Sequence, residues 1–272
     1  MSPLTLTLRQ PLTEPVDVAA LRFPPPEPDP ASRIARTRIR VGGQWRETGE
    51  VFAVSGEDRQ RVMIVSEGAR LHGLGTGMAG GHLTLHGNAG DYLAHGMTAG
   101  TLRVEGDCGD FAAPGLVDGV VDVGGDAGDS LAGAIPGEMS GARGGLVVVR
   151  GSAGARAGDR MRRGVVLVAG DAGDYPGSRL RAGSLILLGA VGREPGFGMK
   201  RGTVVLARPP DTLPATLNHS GSHELLFLRL LARFVEQRLG PTTPPLMDLS
   251  PMQRWVGDRA HDGRGEILVP DR

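Results

Sequence analysis

The feature that most constrains this chain is a period. Short aliphatic runs end in glycine, and the closing glycines Gly68, Gly87, Gly106 and Gly125 are each 19 residues apart. One longer step of 26 residues leads to Gly151, after which the 19-residue step resumes through Gly170 to Gly189. The runs read GHLTLHG (81–87), GTLRVEG (100–106), GVVDVGG (119–125), GLVVVRG (145–151), GVVLVAG (164–170) and GSLILLG (183–189). Each is too short for a helix and rich in β-branched residues, so each reads as a strand. Nineteen residues leave no room for a crossover helix between strands. The repeat therefore predicts a solenoid in which every coil stacks on the one before.

Side chains alternate along a strand, so the second and fourth positions share a face. Those positions hold Leu83/Leu85, Leu102/Val104, Val121/Val123, Val147/Val149, Val166/Val168, Leu185/Leu187 and Val204/Leu206, all aliphatic. Two residues after each closing glycine stands a small residue: Ala89, Cys108, Ala127, Ala153, Ala172 and then Val191. Ten residues after it stands a long apolar one: Met78, Met97, Leu116, Ile135, Met161, Leu180 and Met199. Three inward columns per repeat predict an all-β solenoid, a right-handed parallel β-helix of about seven to eight 19-residue coils with a C-terminal α-helix. Burial of these side chains, at ~1.5–3 kcal/mol for each large one, offsets the ordering of a chain with 44 glycines. Those glycines fit neither the strict triplet of collagen nor the composition of a flexible linker, and are expected at corners that need φ > 0.

The repeat divides the chain into a proline-rich, extended cap or partner-wrapping segment (1–60), the solenoid (61–207) and a C-terminal helix and tail (208–272). Leu4 to Leu8 is an extended piece, and PPPEPDP spans 24–30. SHELLFLRLLARFVEQRLG (222–240) predicts an amphipathic helix with Ser222 as its N-cap, ended by Gly240 and Pro241. Asp262-Gly263 predicts a turn and Ile267 to Val269 a short strand. The outward third strand position runs Thr84, Arg103, Asp122 and then Val148, Leu167, Ile186, Val205. The last four form an apolar outer patch that something must cover, with the C-terminal helix as one candidate and a neighbouring protein of a larger assembly as the other.

Charge sets the function classes. The 30 basic and 30 acidic residues cancel, so no global field draws the chain to nucleic acid or an anionic membrane. No run of apolar residues is long enough to span a membrane and no secretory leader opens the chain, which predicts a cytoplasmic location. The single Cys108 falls in the small inward column as an inert core residue and excludes an all-cysteine metal site made by this chain alone. His219 and His223 lack the pattern of a metal helix, and neither a phosphate-loop signature nor a nucleophile–base pair occurs. No catalytic or metal residue is assigned.

The register stacks Arg160, Arg162 and Arg163 near Arg179 and Arg181, then Lys200 and Arg201, as a basic ridge able to grip an acidic partner surface or a polycarboxylate ligand. Two acidic columns run through Asp107, Asp126, Asp171 and through Asp91, Asp110, Asp129, Asp174. The ordinary reading of ridge and columns is solvated or mutually paired charges, with the aspartates supporting turns.

The repeat, of the kind seen in GNAGDYLAHGMTAG, resembles the domain shared by the C-type subunit of formylmethanofuran dehydrogenase and the C-terminal part of the glutamate synthase large chain. The flanks GEVFAVSG, NHSGSHELLFLRLL and RWVGDRAHDGRGEIL look like the formylmethanofuran dehydrogenase family of C-type subunits over essentially the whole chain. That resemblance implies a scaffold role without catalysis. The archaeal version implies an enzyme with molybdenum or tungsten pterin and iron–sulfur clusters. The bacterial version implies a formyltransferase/hydrolase complex that takes formyl-tetrahydromethanopterin to formate through a methanofuran-like carrier. The arginine-rich, GC-type composition favours the bacterial version. It implies an amidohydrolase-like subunit holding the catalytic metal, a formyltransferase subunit and a further subunit as partners, with no cofactor on this chain.

Overall fold

The computed structural model describes residues 2–25, 29–240 and 251–271. It is mostly strand, in one mixed sheet. Strands β1 (Pro3–Leu8), β2 (Val16–Asp17), β3 (Arg38–Val41), β4 (Gln44–Glu47) and β5 (Phe52–Ser55) lie in the N-terminal segment, with short helices α1 (Pro30–Arg36) and α2 (Thr48–Val51) between them. The repeat supplies β6 (Asp58–His72), β7 (Ala79–Ala89), β8 (Ala99–Val104), β9 (Val120–Val123), β10 (Arg143–Val149), β11 (Arg163–Val168), β12 (Ser184–Leu187) and β13 (Thr203–Leu206). After them come β14 (Asn218–His223), helix α3 (Leu226–Leu239), β15 (Met252–Gly257) and β16 (Gly265–Pro270).

From β6 to β13 each strand pairs parallel with the next in chain order. The rungs align equivalent repeat positions: Leu83 with Leu102, Leu102 with Val121, Val121 with Val147, and onward to Leu185 with Val204. A second parallel ladder joins Cys108, Ala127, Ala153, Ala172 and Val191. Both aliphatic strand columns are buried in one core cluster with Met78, Met97, Leu116, Met161, Leu180 and Met199. Ile135 departs from its column. The seven extra residues of the long coil (26 against 19) fall between it and Arg143, so Ile135 is half-exposed and Ala142, 19 residues before Met161, is buried instead.

Both ends of this stack are closed. β1 runs parallel to β6 and sets Leu4 and Leu6 against Val62 and Ile64, where Leu4, Leu6 and Phe52 are fully buried. The extended reading of 1–60 omitted α1 and α2; Pro30 and the Asp29 carboxylate, which accepts from the Ser32 N–H at 3.2 Å, start α1. Residues 26–28 of the proline run lie outside the described residues. At the other end β16 lies parallel to β13 and takes the next rung, pairing Ile267 with Val204 and Leu268 with Val205. Asp262, at φ 52°, makes the turn before it.

Helix α3 begins at Leu226, later than the sequence pattern suggested. Ser222 is a strand residue paired with Gln253, and no side chain caps the helix at Leu225. The backbone pairing of β14 with β15 satisfies groups that a longer helix would have bonded internally. Gly240 ends α3 with φ 70°; Pro241 lies outside the described residues.

Candidate functional site

No catalytic constellation was expected, so the candidate sites are surfaces. The aspartate columns join successive coils. Asp91, Asp110 and Asp129 each accept, through Oδ1, the backbone N–H of the equivalent residue one coil on: Asp110 at 2.9 Å, Asp129 at 2.8 Å and Ala155 at 2.8 Å. Asp174 does the same for Arg193. The other column repeats the pattern from Asn88 to Asp107, Asp107 to Asp126, Asp126 to Ser152 and Asp171 to Ala190. These carboxylates link coil to coil and do not face the ridge as paired charges. Two members add a side-chain pair: Asp91 with His72 Nδ1 at 3.5 Å, and Asp174 with Arg193 at 2.6 Å, a hydrogen bond that holds the Asp174 carboxyl below the usual range.

The ladder also corrects the reading of the glycines. Closing glycines Gly125 and Gly151 do not have positive φ. A Cβ on either would lie 2.1 Å from an aspartate Oδ1 of the coil before. Close approach, rather than corner geometry, demands glycine there.

The basic ridge divides into held and free cations. Arg179 is gripped by Asp159, with Nε to Oδ1 at 2.9 Å and Nη2 to Oδ2 at 2.8 Å, and Ser178 donates to the same carboxylate at 2.6 Å. Arg160 donates to the Glu138 carbonyl at 3.1 Å, and Lys200 to the His261 carbonyl. Arg162, Arg181 and Lys200 occupy the same place in successive coils through backbone bonds to Ala142, Met161 and Leu180. Arg162, Arg163 and Arg201 are exposed and Arg181 half-exposed; among the described residues their side chains have no ion-pair or hydrogen-bond partner. Two further residues extend the ridge. Arg143 pairs with Arg163 in the ladder, and Arg264 donates its N–H to the Lys200 carbonyl. Sequence reasoning missed Arg143 because, counted forward from Gly125, the seven extra residues of the long coil hide its equivalence to Arg162, and Arg264 because nothing local shows that β16 supplies another coil. Beside Arg179 an open depression of about 580 Å³ is lined by Arg156, Tyr175, Ser178, Arg179, Glu194 and Phe197.

The apolar outer residues Val148, Leu167, Ile186 and Val205 are 0–2% exposed. They form one cluster with Leu268, Met252 and Val235, against which Phe227, Leu228, Leu231 and Phe234 of α3 pack. Just upstream in the same column Asp122 is buried, bonded by Arg150 through Nε and Nη2 at 3.1 Å each and approached by Arg103 at 3.8 Å. It was expected to face outward with Thr84 and Arg103.

The carboxyl-terminal motif is a clamp. Asp258 is 2% exposed. Its carboxylate accepts from the Gly198 N–H at 3.1 Å, the Ala260 N–H at 3.0 Å and His261 Nδ1 at 2.9 Å. Burial opposes its ionisation, but hydrogen bonds from Thr216, Gly198, His261 and Ala260 outweigh it and keep the carboxyl below the usual range. Cys108 is buried, and burial pushes its thiol up to about 12. His219 sits against Trp255, with ring centroids 4.8 Å apart, and His223 contacts the Ser220 carbonyl at 2.8 Å. Among the described residues no three His, Cys, Asp or Glu side chains gather to hold a metal, and no helix is long and apolar enough to cross a membrane.

Residues 82–223 match the family model described as the GXGXG motif, which is more than half of the chain. The chain belongs to the GXGXG family. A crystal structure of the formyltransferase/hydrolase complex (FhcABCD) from Methylorubrum extorquens, in complex with methylofuran, contains a chain similar to this GXGXG protein. The two are 34% identical over 98% of this chain and 100% of that one, with a TM-score of 0.83. The resemblance to the C-type subunit of formylmethanofuran dehydrogenase, carried by the flanks as well as the repeat, is borne out with it. No curated protein matches the sequence.

Proposed function

We propose that this chain is the non-catalytic scaffold of a formyltransferase/hydrolase complex converting formyl-tetrahydromethanopterin to formate through a methanofuran-like carrier. One observation carries the reading: the likeness to a chain of such a complex runs end to end, flanks included. The coils wind as a right-handed β-helix, a reading supported by two parallel ladders per repeat in register. A rod of this kind is stiff along its axis and presents long faces, which suits it to hold an amidohydrolase-like subunit, a formyltransferase subunit and a further subunit in fixed relation. The catalytic metal belongs to a partner, and the assembly works in the cytoplasm.

The free cations Arg162, Arg163, Arg181 and Arg201, with Arg143 and Arg264, offer a row of like charges one coil apart, about 4.8 Å per rung. Such a row suits a ligand with repeated carboxylates, and the carrier is assigned to it. Arg160, Arg179 and Lys200 shape the site but are engaged within the protein. The test is purification of the tagged chain from its host, with mass spectrometry of partners and metal analysis. Formyltransferase and hydrolase partners without molybdenum or tungsten are expected; either of those metals, or a lone chain, would overturn the reading. Arg162→Glu with Arg181→Glu is expected to leave assembly intact while the carrier retained by the complex falls several-fold.

A further inference from the structure

The far end of the sheet, away from the ridge and α3, carries a second charged surface. β3 and β4 form a hairpin closed by Gly42 and Gly43, with φ 56° and 86°, the two-residue turn that matches strand twist. Ile39 and Val41 are buried beneath it, so alternation sends Arg38 and Arg40 outward. Trp45, paired directly with Arg40, is 55% exposed. Its ring lies 5.7 Å from the Arg38 guanidinium carbon and 5.6 Å from that of Arg40, within cation–π range on both counts.

Three facts set this hairpin apart. A half-exposed Trp gains little from burial in the isolated chain, yet cation–π contacts with two arginines hold it in one orientation. Residues 29–47 hold five arginines, Arg33, Arg36, Arg38, Arg40 and Arg46, against Asp29 and Glu47, in a chain whose total charge is zero. β4 ends the strand order, and all four of its residues are exposed, which leaves one edge of its backbone without a strand partner among the described residues. Trp and Arg are the residue types that dominate binding energy at protein interfaces.

We propose that the Trp45 hairpin is a docking surface for another protein of the assembly, one presenting an apolar slot ringed by acidic side chains. This rests on the assembly proposed above. Trp45 enters the slot, while Arg38 and Arg40, on the same face, meet the acidic rim and guide the approach. A protein partner is favoured over nucleic acid because Trp45 is the hairpin's one aromatic side chain, whereas binding a single strand needs successive aromatics for successive bases.

The test uses the full chain co-expressed with the formyltransferase and hydrolase subunits, comparing the unaltered protein with Trp45→Ala and with Arg38→Gln/Arg40→Gln. Circular dichroism and the unfolding midpoint of each variant chain confirm the fold, since all three side chains are on the surface. The expected result is a loss of affinity for the partner subunits of ~30-fold or more for Trp45→Ala. The arginine pair should lose association rate and much of its salt dependence. Wild-type affinity in both variants would overturn the docking surface and leave the scaffold reading standing. Failure of the unaltered chain to assemble would overturn both. RNA binding that competes with assembly and is lost in the same variants would overturn the protein partner.

Discussion

Asp110 occupies the place where Gly128 would carry a side chain: a Cβ there would lie 2.2 Å from Asp110 Oδ1, the oxygen that accepts the N–H of Asp129. The same relation recurs between Asp91 and Gly109 and between Asp129 and Gly154, each at 2.1–2.2 Å. Each coil thus presents the next with an acceptor that only a missing side chain can admit.

Gly128→Ala is therefore expected to destabilise the protein by ~1–3 kcal/mol, as overpacking does, because the clash is with a bonded carboxylate and with backbone. Asp110→Ala alone loses the hydrogen bond. The double variant should be less destabilised than the sum of the two, since Asp110→Ala vacates the space that the methyl of Gly128→Ala fills. Denaturant unfolding of the four proteins measures this; strict additivity would mean that the two residues do not share the space.

Much of this architecture was legible in the sequence because it is periodic. The aliphatic strand positions and the Ala column repeat every 19 residues, and each member sees the same neighbours. What was not legible depends on which coil meets which. The aspartates read as turn formers, because an acid beside glycine looks the same whether it bonds its own turn or the next coil. Ser222 read as a helix cap because the pairing of β14 with β15 comes from a strand some 30 residues later. Arg179 read as a free cation because the buried Asp159 that holds it lies in the neighbouring coil.

Asp258 makes the carboxyl-terminal closure sensitive to acid. Its folded carboxyl titrates below the unfolded value of about 3.9. Its stabilising contribution is therefore complete above that value and is lost as pH falls through the lower folded one. Asp258→Asn should cost ~1.5–3 kcal/mol at neutral pH and flatten the acid limb of the stability curve. Hydrogen exchange in β16 should rise with it. An unchanged acid limb would show that another carboxylate governs that end.

Val235, fully buried on the inner side of α3, tests what covers the outer apolar column. Val235→Asp is expected to undock the helix, since burying an unpaired carboxylate costs more than the contact supplies. Val148, Leu167 and Ile186 then become exposed, with a rise in hydrophobic-dye binding and in self-association while the strand signal in circular dichroism persists. Ending the chain near residue 210 should do the same more severely. No rise in dye binding would mean that α3 is not the cover.

Asp122 and Arg150 form the junction between the polar and apolar parts of the same outer column. Asp122 is buried, so among the described residues Arg150→Ala leaves its carboxylate with Arg103, whose Nη1 is 3.8 Å away. Removing one partner of a buried pair typically costs ~3–5 kcal/mol. The neighbouring rung holds Val148 directly opposite Asp122, so the column can accept an aliphatic side chain here. Asp122→Val with Arg150→Met should therefore recover most or all of that loss, because no charge is left to desolvate. If the double variant stays as unstable as Arg150→Ala, the pair fixes the geometry of the β9–β10 rung in a way that packing alone does not replace.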